Sequence, residues 1–465
     1  MSDHVGRAFA VHWSEVKRWD PSSFEKVDWS WPDAVMAPIG SVLTQRKQKV
    51  DRAKYAFTEL QPLSVHFDGS VSKRKVADDR EYTMELWFAK PGDIVVAKID
   101  LKNGAVGIVP PDWENVAVTG HFAVYEPIHD RMLPEFFHLI IQAPFFKAHL
   151  NRNKVGAEGR KEVKLDFFES EKIPVPPLAT QRAIVAHWQA TQEKNAAALK
   201  AADEHEADIR REFLEKLGLS DRTQVITQRA FALRWTEINR WSVEFIRQSS
   251  DDLEPDRGRY PVVKLGDVIA DLSNGWSPQC LSRPAEGSEW GVLKLGAVSL
   301  GSFNPDQNKA LPPSLAPESA LEIKPGDVLI SRANITRLVG ACAHVLCTPP
   351  RLLLCDKIFR VVPKANPPIT PEYIAEVLKL PHLRRQIESS VTGSSPTMKN
   401  ITKPALLGLR IPLPPLSIQK QLVAEVTTAR TRIAAERAAA AKLAADTARE
   451  VEAMILGQLP APAFH

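Results

Sequence analysis

The chain has 465 residues, of which 44% are hydrophobic and 25% charged, and its formal net charge is only +4. This composition is ordinary for a globular protein of two to four domains, and so small a net charge does not by itself indicate a nucleic-acid partner. No run of about 18 apolar residues and no signal-peptide pattern is present, so we expect no membrane span and a cytoplasmic location.

The chain repeats itself through short matching segments that occur in the same order. The matching pairs are 9–19 with 231–241, 90–98 with 324–332, Val106-Gly107 with Val339-Gly340, and 173–178 with 411–416. Their offset grows from 222 to 238 residues, so the second copy carries additional residues between the shared segments. Because the intervening sequence is dissimilar, the repeat predicts one scaffold that carries two different surfaces, in copies from about 9 to 218 and about 231 to 457.

Each copy begins with a part that mixes strands and helices. A Lys-Pro-Gly-Asp turn followed by an aliphatic run predicts a buried strand at Ile94–Ala97 and again at Val328–Ser331. The segments 134–150 and 371–387 then predict short amphipathic helices, each opened by a proline in the first turn.

The second part of each copy is predicted to be one long helix. The proline-rich segments 174–177 and 412–415 cannot be helical, and neither proline nor glycine follows until Gly218 and Gly457, which suit helix C-caps. At 1.5 Å per residue, each helix would span roughly 60 Å. A three-four spacing typical of a coiled-coil seam joins Leu199, Ala202, Ile209 and Phe213 in the first helix, and Leu422, Val426, Ala429, Ile433, Ala440, Leu443, Thr447, Val451 and Met454 in the second. The obvious partner of each helix is the other one.

Two patterns resemble catalytic motifs but have simpler explanations. Asn366-Pro367-Pro368-Ile369 lacks the aromatic residue with which amino-methyltransferases stack a flipped adenine. Pro305-Asp306 with Glu322 and Lys324 has the spacing of a metal-dependent nuclease, but Lys324 belongs to the repeated structural turn. No phosphate-binding loop is present either, so we expect no catalytic residue in this chain.

The cysteines all lie in the second copy, and none forms a paired motif with metal-ligand spacing. They are Cys280, Cys342, Cys347 and Cys355. Buried, reduced thiols are therefore expected and no metal site is. His121, which lies in an apolar run, is likewise expected in the core.

Together these features resemble the specificity subunit of type I restriction–modification systems. The resemblance rests on the twin Ile-Pro-Val/Leu-Pro-Pro-Leu segments, each followed by Gln181 or Gln419 and a long charged helix, on the Lys-Pro-Gly-Asp turns, and on the small polar stretch 392–400. It covers essentially the whole chain. The first copy departs from it at 155–163, where the matching stretch is charged, so the two copies should treat DNA differently there.

The resemblance implies a mixed α/β fold. Two target recognition domains in a tandem pseudo-two-fold repeat would be joined by two long antiparallel coiled-coil helices. The implied bounds are 1–178 for the first recognition domain, 179–218 for the first conserved long helix, 219–410 for the second recognition domain, 411–457 for the second long helix and 458–465 for a tail.

The resemblance also implies a non-catalytic DNA-binding function. Each domain would read one half of a bipartite site in double-stranded DNA, and the helices would dock two methyltransferase subunits and, through them, the restriction/translocase subunits. This chain would hold no cofactor, and S-adenosylmethionine, ATP and Mg²⁺ would belong to the partner subunits. One alternative is a coiled-coil adaptor that does not read DNA, although two divergent basic domains argue against it. A self-sufficient nuclease is the other.

Phosphate contacts should come from clustered cations, and base contacts from a few side chains on exposed loops. Arg160 lies in a glycine-flanked loop, where a guanidinium can reach guanine O6 and N7, and Asn400 suits adenine. The predicted DNA-binding residues are Arg46, Lys47, Lys73, Arg74, Lys75, Arg160, Lys161, Arg332, Ser394, Ser395, Thr397, Lys399 and Asn400.

Overall fold

The computed structural model describes residues 26–74, 84–155, 162–219, 258–393 and 398–463. The matching segments 9–19 and 231–241 lie outside these ranges. The chain divides into two compact units, the first made of residues 1–199 with 438–465 and the second of residues 200–437. Within the described ranges, no helix is both long and apolar enough to cross a bilayer.

The first unit combines short strands with three short helices and one end of each long helix. Its strands are β1 Met36–Pro38, β2 Leu43–Gln45, β3 Gln61–Val65, β4 Val71–Lys73, β5 Leu86–Ala89, β6 Ile94–Ala97, β7 Val106–Ile108, β8 Val116–Thr119, β9 Phe122–Pro127 and β10 Lys172–Pro174. Its helices are α1 Pro134–Gln142, α2 Pro144–Arg152, α3 Leu165–Ser170 and the beginning of the long helix α4 Leu178–Lys216.

Among the described residues, the second unit repeats most of these elements and has one more strand and one more short helix. Its strands are β11 Val262–Lys264, β12 Asp271–Asn274, β13 Gly291–Leu293, β14 Asn308–Ala310, β15 Val328–Ser331, β16 Ala333–Asn334, β17 Cys342–His344, β18 Leu352–Leu353, β19 Ile358–Val362, β20 Lys399–Asn400 and β21 Arg410–Pro412. Its helices are α5 Leu265–Val268, α6 Pro371–Val377, α7 Pro381–Ser389, α8 Lys403–Leu407 and the beginning of the long helix α9 Leu416–Leu456.

The sheets confirm that the chain is duplicated. An antiparallel sheet of order β2-β9-β6-β7 in the first unit matches β12-β19-β15-β17 in the second. A second sheet contains the parallel pair β3 and β8 in one unit and the parallel pair β13 and β18 in the other. The predicted buried strands are β6 and β15, both central in their sheets, so this sequence prediction is confirmed.

One repeat match from the sequence is wrong in register. In the β6–β7 hairpin Val96 pairs with Val106, whereas in the β15–β17 hairpin the equivalent Ile330 pairs with Cys342, not Val339. The true match is Gly104 with Gly340, whose φ angles of +83° and +67° place both in the left-handed region that favours glycine. Both turns need a glycine in the left-handed region, whereas the two Val-Gly pairs stand at different places in their hairpins.

The predicted helical segments 134–150 and 371–387 are each two helices. Pro144 is the first residue of α2 and Pro381 the first residue of α7, and the residue before each proline has non-helical backbone. A proline inside a helical pattern lacks the N–H that the preceding turn needs and disfavours helical backbone in the residue before it. The apolar face of α1, including Phe136, Phe137 and Ile140, is fully buried in the core of the first unit.

The long helices begin and end where the prolines and glycines predict. Each starts directly after its Pro-Pro pair. At the carboxyl ends, Gly218 N–H donates to the Glu215 carbonyl and Leu219 N–H to the Leu214 carbonyl, at 2.9 and 2.8 Å. The same two bonds recur around Gly457, and both glycines have φ above +70°. This pair of bonds is the Schellman motif, which satisfies carbonyls left free at a helix end.

Contacts inside each unit show that α4 and α9 pair in antiparallel orientation. In the first unit Ile184, near the start of α4, belongs to one buried cluster with Val451 and Met454, near the end of α9. In the second unit Phe213, near the end of α4, shares a cluster with Leu422, near the start of α9. Apolar burial along the seam is therefore what holds the helix pair together.

Two leucines predicted for the seam are instead exposed. Leu199 is 42% exposed and Leu443 is 43% exposed, whereas Ala202, Ile433 and Val451 are buried. Half-buried Ala444 takes the position predicted for Leu443. At the next contact Thr447 donates to the Thr191 hydroxyl at 3.3 Å, so the seam in the first unit is partly polar.

A buried glutamine ties each long helix to the domain beside it. The Gln181 Oε1 accepts from the Leu133 N–H at 2.9 Å, and its Nε2 donates to the carbonyls of Arg131 and Pro176 at 2.7 and 2.8 Å. Gln419 makes the same three bonds with Thr370, Pro368 and Pro414, at 2.9, 2.9 and 2.8 Å. Both side chains are fully buried. This glutamine clamp joins a proline segment, a short-helix N-terminus and a long helix.

Candidate nucleic-acid interface

Matched β-bridges anchor the predicted DNA-binding loop of each unit. Val155 and Glu162 exchange backbone hydrogen bonds at 2.7 and 2.9 Å in the first unit, and Thr392 and Asn400 do so at 2.8 and 2.9 Å in the second. The loops that these bridges close contain several predicted residues outside the described ranges: Arg160, Lys161, Ser394, Ser395 and Thr397. Their contacts with DNA stay a prediction.

In the second unit the chain brings three predicted residues together. Strand β16 pairs with β20, so Asn334 lies opposite Lys399 and Ala333 opposite Asn400. Arg332 directly precedes β16, and its carbonyl accepts from Ile401 N–H at 2.9 Å. Lys399 Nζ donates to the Gly393 carbonyl at 2.6 Å, which braces the loop from within. Asn400 and Arg332 are exposed, so their side chains are accessible to a ligand.

In the first unit Lys73 and Arg74 are exposed at the end of β4. The Lys73 ammonium lies 5.2 Å from the centre of the Trp113 ring, where a cation–π attraction orients it. Lys75 lies outside the described residues. This end of β4 presents two adjacent cations, the arrangement expected for phosphate contacts.

Arg46 has partners within its own unit. Its Nε donates to Asp93 Oδ2 at 2.6 Å, and its Nη2 lies 3.0 Å from Glu126. Hydrogen bonding to Asp93 raises the pKa of the Arg46 guanidinium. Because Asp93 also caps the Lys-Pro-Gly-Asp turn by accepting from the Lys90 N–H at 2.8 Å, Arg46 supports that turn. The neighbouring Lys47 is exposed.

Lys98 and Arg332, which the repeat matches, make equivalent contacts. Lys98 Nζ donates to the Gly120 carbonyl at 2.8 Å, and Arg332 Nη1 donates to the Asp356 carbonyl at 3.4 Å. Each cation thus braces the turn that leads into the neighbouring strand of the sheet. His121, expected in the core, is exposed in that turn, because the turn interrupts the apolar run from β8 to β9.

The segments that resemble catalytic motifs have structural contacts. Glu322 Oε1 accepts from the Arg351 N–H at 2.7 Å, and Lys324 N–H donates to Asp327 Oδ2 at 2.9 Å, as Lys90 does to Asp93. Ile369 is buried in the core of the second unit. Among the residues that the structure describes, no cluster of His, Cys, Asp and Glu is placed to hold a metal ion.

The cysteines differ in exposure. Cys342 and Cys355 are buried as expected, and burial raises the pKa of the two thiols to about 12 and about 11. Cys280 is half-buried, and the expectation is wrong for Cys347, which is exposed. All four are free thiols. Burial keeps the thiols of Cys342 and Cys355 protonated and unreactive near neutral pH.

A protein-family comparison assigns part of this chain directly. Residues 74–215 match the type I restriction modification DNA specificity domain. The match runs from the end of β4 to the last turn of α4 and so contains the turn before β6, the loop 156–161 and the glutamine clamp at Gln181.

Curated relatives extend the match to most of the chain. The type I restriction enzyme EcoEI specificity subunit of Escherichia coli is 24% identical over 478 residues, which cover 88% of this chain and 78% of that protein. The EcoKI specificity subunit of Escherichia coli strain K12 is 25% identical over 291 residues, covering 61% of this chain and 57% of that protein.

A solved structure shows the same fold. A chain from a structure concerned with complex assembly and conformational transition of the type I R-M system superposes with a TM-score of 0.56 at 19% identity, covering 91% of this chain and 98% of that one. The duplicated topology, the domain match and the two specificity-subunit relatives agree. The domain match, the two relatives and the shared fold make this chain similar to the specificity subunits of type I restriction–modification systems.

Proposed function

We propose that this chain reads a bipartite sequence in double-stranded DNA, with one half-site for each unit. The observation that carries the proposal is the pair of matched loops closed by the Val155–Glu162 and Thr392–Asn400 bridges. The sequence between the bridge residues is Gly-Ala-Glu-Gly-Arg-Lys in the first unit and Gly-Ser-Ser-Pro-Thr-Met-Lys in the second. Two different half-sites require different hydrogen-bond donors and acceptors on loops that are held in the same way.

The partners follow from the same assignment. The relatives are specificity subunits, a non-catalytic role, so methyl transfer and cleavage would belong to other chains. The paired helices α4 and α9 would dock two methyltransferase subunits and, through them, the restriction/translocase subunits, in the cytoplasm. S-adenosylmethionine, ATP and Mg²⁺ would bind in those partners.

Mapping methylated bases in DNA from cells that carry this chain with its methyltransferase tests the proposal. We expect a single two-part methylated sequence. Arg160→Ala should weaken discrimination at one base of one half-site by about 1–3 kcal/mol if the guanidinium grips a guanine. If Arg160 holds only a phosphate, binding should fall evenly across sequences, with a shallower salt dependence.

Lys90→Ala is the matched control, because Lys90 is exposed in the Lys-Pro-Gly-Asp turn before β6 and its replacement also removes one positive charge. It should leave the methylated sequence and the affinity for DNA unchanged. A coiled-coil adaptor would assemble with its partners and give no methylation pattern that depends on this chain, and that result would rule the proposal out.

A further inference from the structure

Each unit exposes an isoleucine in a turn after the central strand of its four-stranded sheet. It lies in the turn that follows β6 in the first unit and β15 in the second, which we call the apolar turns, residues 98–105 and 332–341. The Ile99 side chain is 50% exposed and the Ile335 side chain is 39% exposed. Each isoleucine stands five residues before the matched glycine, Gly104 or Gly340, although the second turn has two more residues between its paired strands.

Both apolar turns are held rigidly from the side that faces the domain. In the first unit Leu101 is fully buried, and Gln142 Nε2 donates to the Gly104 carbonyl at 2.7 Å. In the second, Val339 is fully buried, and Arg384 Nη2 donates to its carbonyl at 3.0 Å and to the Arg337 carbonyl at 3.2 Å. The exposed isoleucine therefore projects from a braced turn, and its exposure does not result from loose packing.

The surroundings of the apolar turns are cationic and differ between the units. In the first turn Lys98 and Lys102 lie on either side of Ile99 and outnumber Asp100. In the second unit exposed Arg337 and Lys357 occupy the same edge of the sheet. Strand β16, which begins the second apolar turn, also pairs with β20 at the end of the predicted DNA-binding loop. The cations suit the phosphates of DNA, and the exposed isoleucine suits an apolar group. The apolar group that DNA exposes in its major groove is the C5-methyl of thymine.

We propose that Ile99 and Ile335 contact thymine methyl groups, one in each half-site, and that the residues beside them determine which bases are accepted around that thymine. The proposal rests on the proposed function and names two specificity-determining residues for it. Asp100 and Asn103, hydrogen-bonded to each other at 3.2 Å, stand in the first turn, and Thr336 and Arg337 stand in the second. The shared isoleucine supplies the same apolar contact, whereas these polar neighbours differ.

The test combines a protein substitution with removal of a single methyl group from DNA. The assembled methyltransferase complex is titrated with a duplex that carries its mapped sequence, and with duplexes in which each thymine in turn is replaced by deoxyuridine. We expect one position in the half-site read by the second unit at which deoxyuridine weakens binding about three- to fivefold. Ile335→Ala should weaken binding to the thymine duplex by at least as much, and deoxyuridine at that position should then cost nothing more.

Leu346→Ala is the matched control, because Leu346 is 80% exposed and lies beyond the far end of β17. It should bind both duplexes as the wild type does. Ile99→Ala should show the same dependence on one thymine of the other half-site. Both isoleucines are surface residues, so assembly and thermal stability should remain unchanged.

The inference would be overturned if deoxyuridine and Ile335→Ala each weakened binding and their effects were additive. It would also be overturned if Ile335→Ala bound DNA like the wild type. Sequence-specific binding would persist in both cases. The inference would also be overturned if no thymine in either half-site responded to deoxyuridine. Loss of sequence preference in the unsubstituted complex would instead overturn the proposed function, so the two failures are distinguishable.

Discussion

The buried side-chain amides of Gln181 and Gln419 each join three separate segments of backbone. Hydrophobic burial is tolerant of small shifts in position, but a hydrogen bond needs its donor and acceptor within a few tenths of an ångström. Each amide therefore orients the long helix relative to the proline segment and to the short helix beside it. The equivalence of the two sets of bonds explains why a glutamine stands four residues after the second proline of each Pro-Pro pair.

Gln181→Leu should destabilise the chain by about 2–4 kcal/mol, because it leaves the Leu133 N–H and two carbonyls without partners in a buried site. Urea-induced unfolding followed by circular dichroism measures the loss. The control is Gln189→Leu, an exposed position on the same helix, which should change stability by less than about 0.5 kcal/mol. Equal stability of the two variants would contradict the role assigned to the clamp.

A single histidine should make the second unit sensitive to acid. Burial, together with the nearby Arg385, lowers the pKa of His382 to about 4 from its usual 6.5. Between these values the unfolded chain binds a proton that the folded chain does not, so stability should fall as the pH drops from about 6.5 to about 4, by at most about 3 kcal/mol.

His382→Gln removes the titrating group and should reduce the loss of stability between pH 7 and pH 5. Thermal unfolding at the two pH values measures the difference. The same loss in the variant and the wild type would show that other groups cause the acid sensitivity.

At the scale of elements, the pairing of α4 with α9 depends on which side chains lie between the helices. Ile433 and Val451 are buried, whereas Leu443 is exposed and half-buried Ala444 takes its place. Charged pairs flank the seam, including Arg437 with Asp203 at 2.7 Å and Lys216 with Glu425 at 2.6 Å. Because these pairs are exposed, each contributes little, and the apolar seam supplies most of the stabilisation.

Ile433→Asp should destabilise the helix pair by about 3 kcal/mol or more, since it places a charge in an apolar seam. Leu443→Asp makes the same chemical change on an exposed part of the same helix and should have little effect on stability. Chemical unfolding of both variants and co-purification of the methyltransferase measure the outcome. Similar destabilisation by both substitutions would contradict the seam described above.

At the scale of the whole molecule, the chain is one scaffold used twice. The four-stranded sheets have the same strand order, the glutamine clamps have the same bonds, and the long helices end in the same Schellman motif. The surface loops differ in sequence between the copies. A duplicated scaffold with separate loops allows one surface to change without disturbing the core of the other.

Replacing residues 20–165 by the matching part of a homologous chain should therefore change one half-site and leave the other intact. Long-read mapping of methylated adenines reads both half-sites at once. The sheets and short helices of the second unit lie outside the exchanged segment, so its half-site should persist. A swap that altered both half-sites, or neither, would refute the model of two independent readers.

The amino-acid sequence by itself determined the duplication, the buried strands and the limits of the long helices. These features depend on local chemistry: prolines cannot continue a helix, glycines accept left-handed backbone, and aliphatic runs fill central strands. The DNA-binding residues proposed from sequence remain predictions. A cluster of cations indicates which region of the chain could bind DNA, but it does not show what each side chain contacts.

Only the tertiary structure decided which of two neighbouring residues is buried or forms an ion pair. Leu443 and Ala444 are adjacent and both fit a three-four spacing, but in the folded chain Leu443 is exposed and Ala444 is half-buried. Arg46 is a cation like Lys47 in the sequence, but Asp93 and Glu126 lie beside it only after the sheet has formed. The common five-residue spacing of Ile99 and Ile335 from the matched glycines likewise follows from hairpin register, because hydrogen bonds between distant strands, and not local propensity, set which residues stand at the turn.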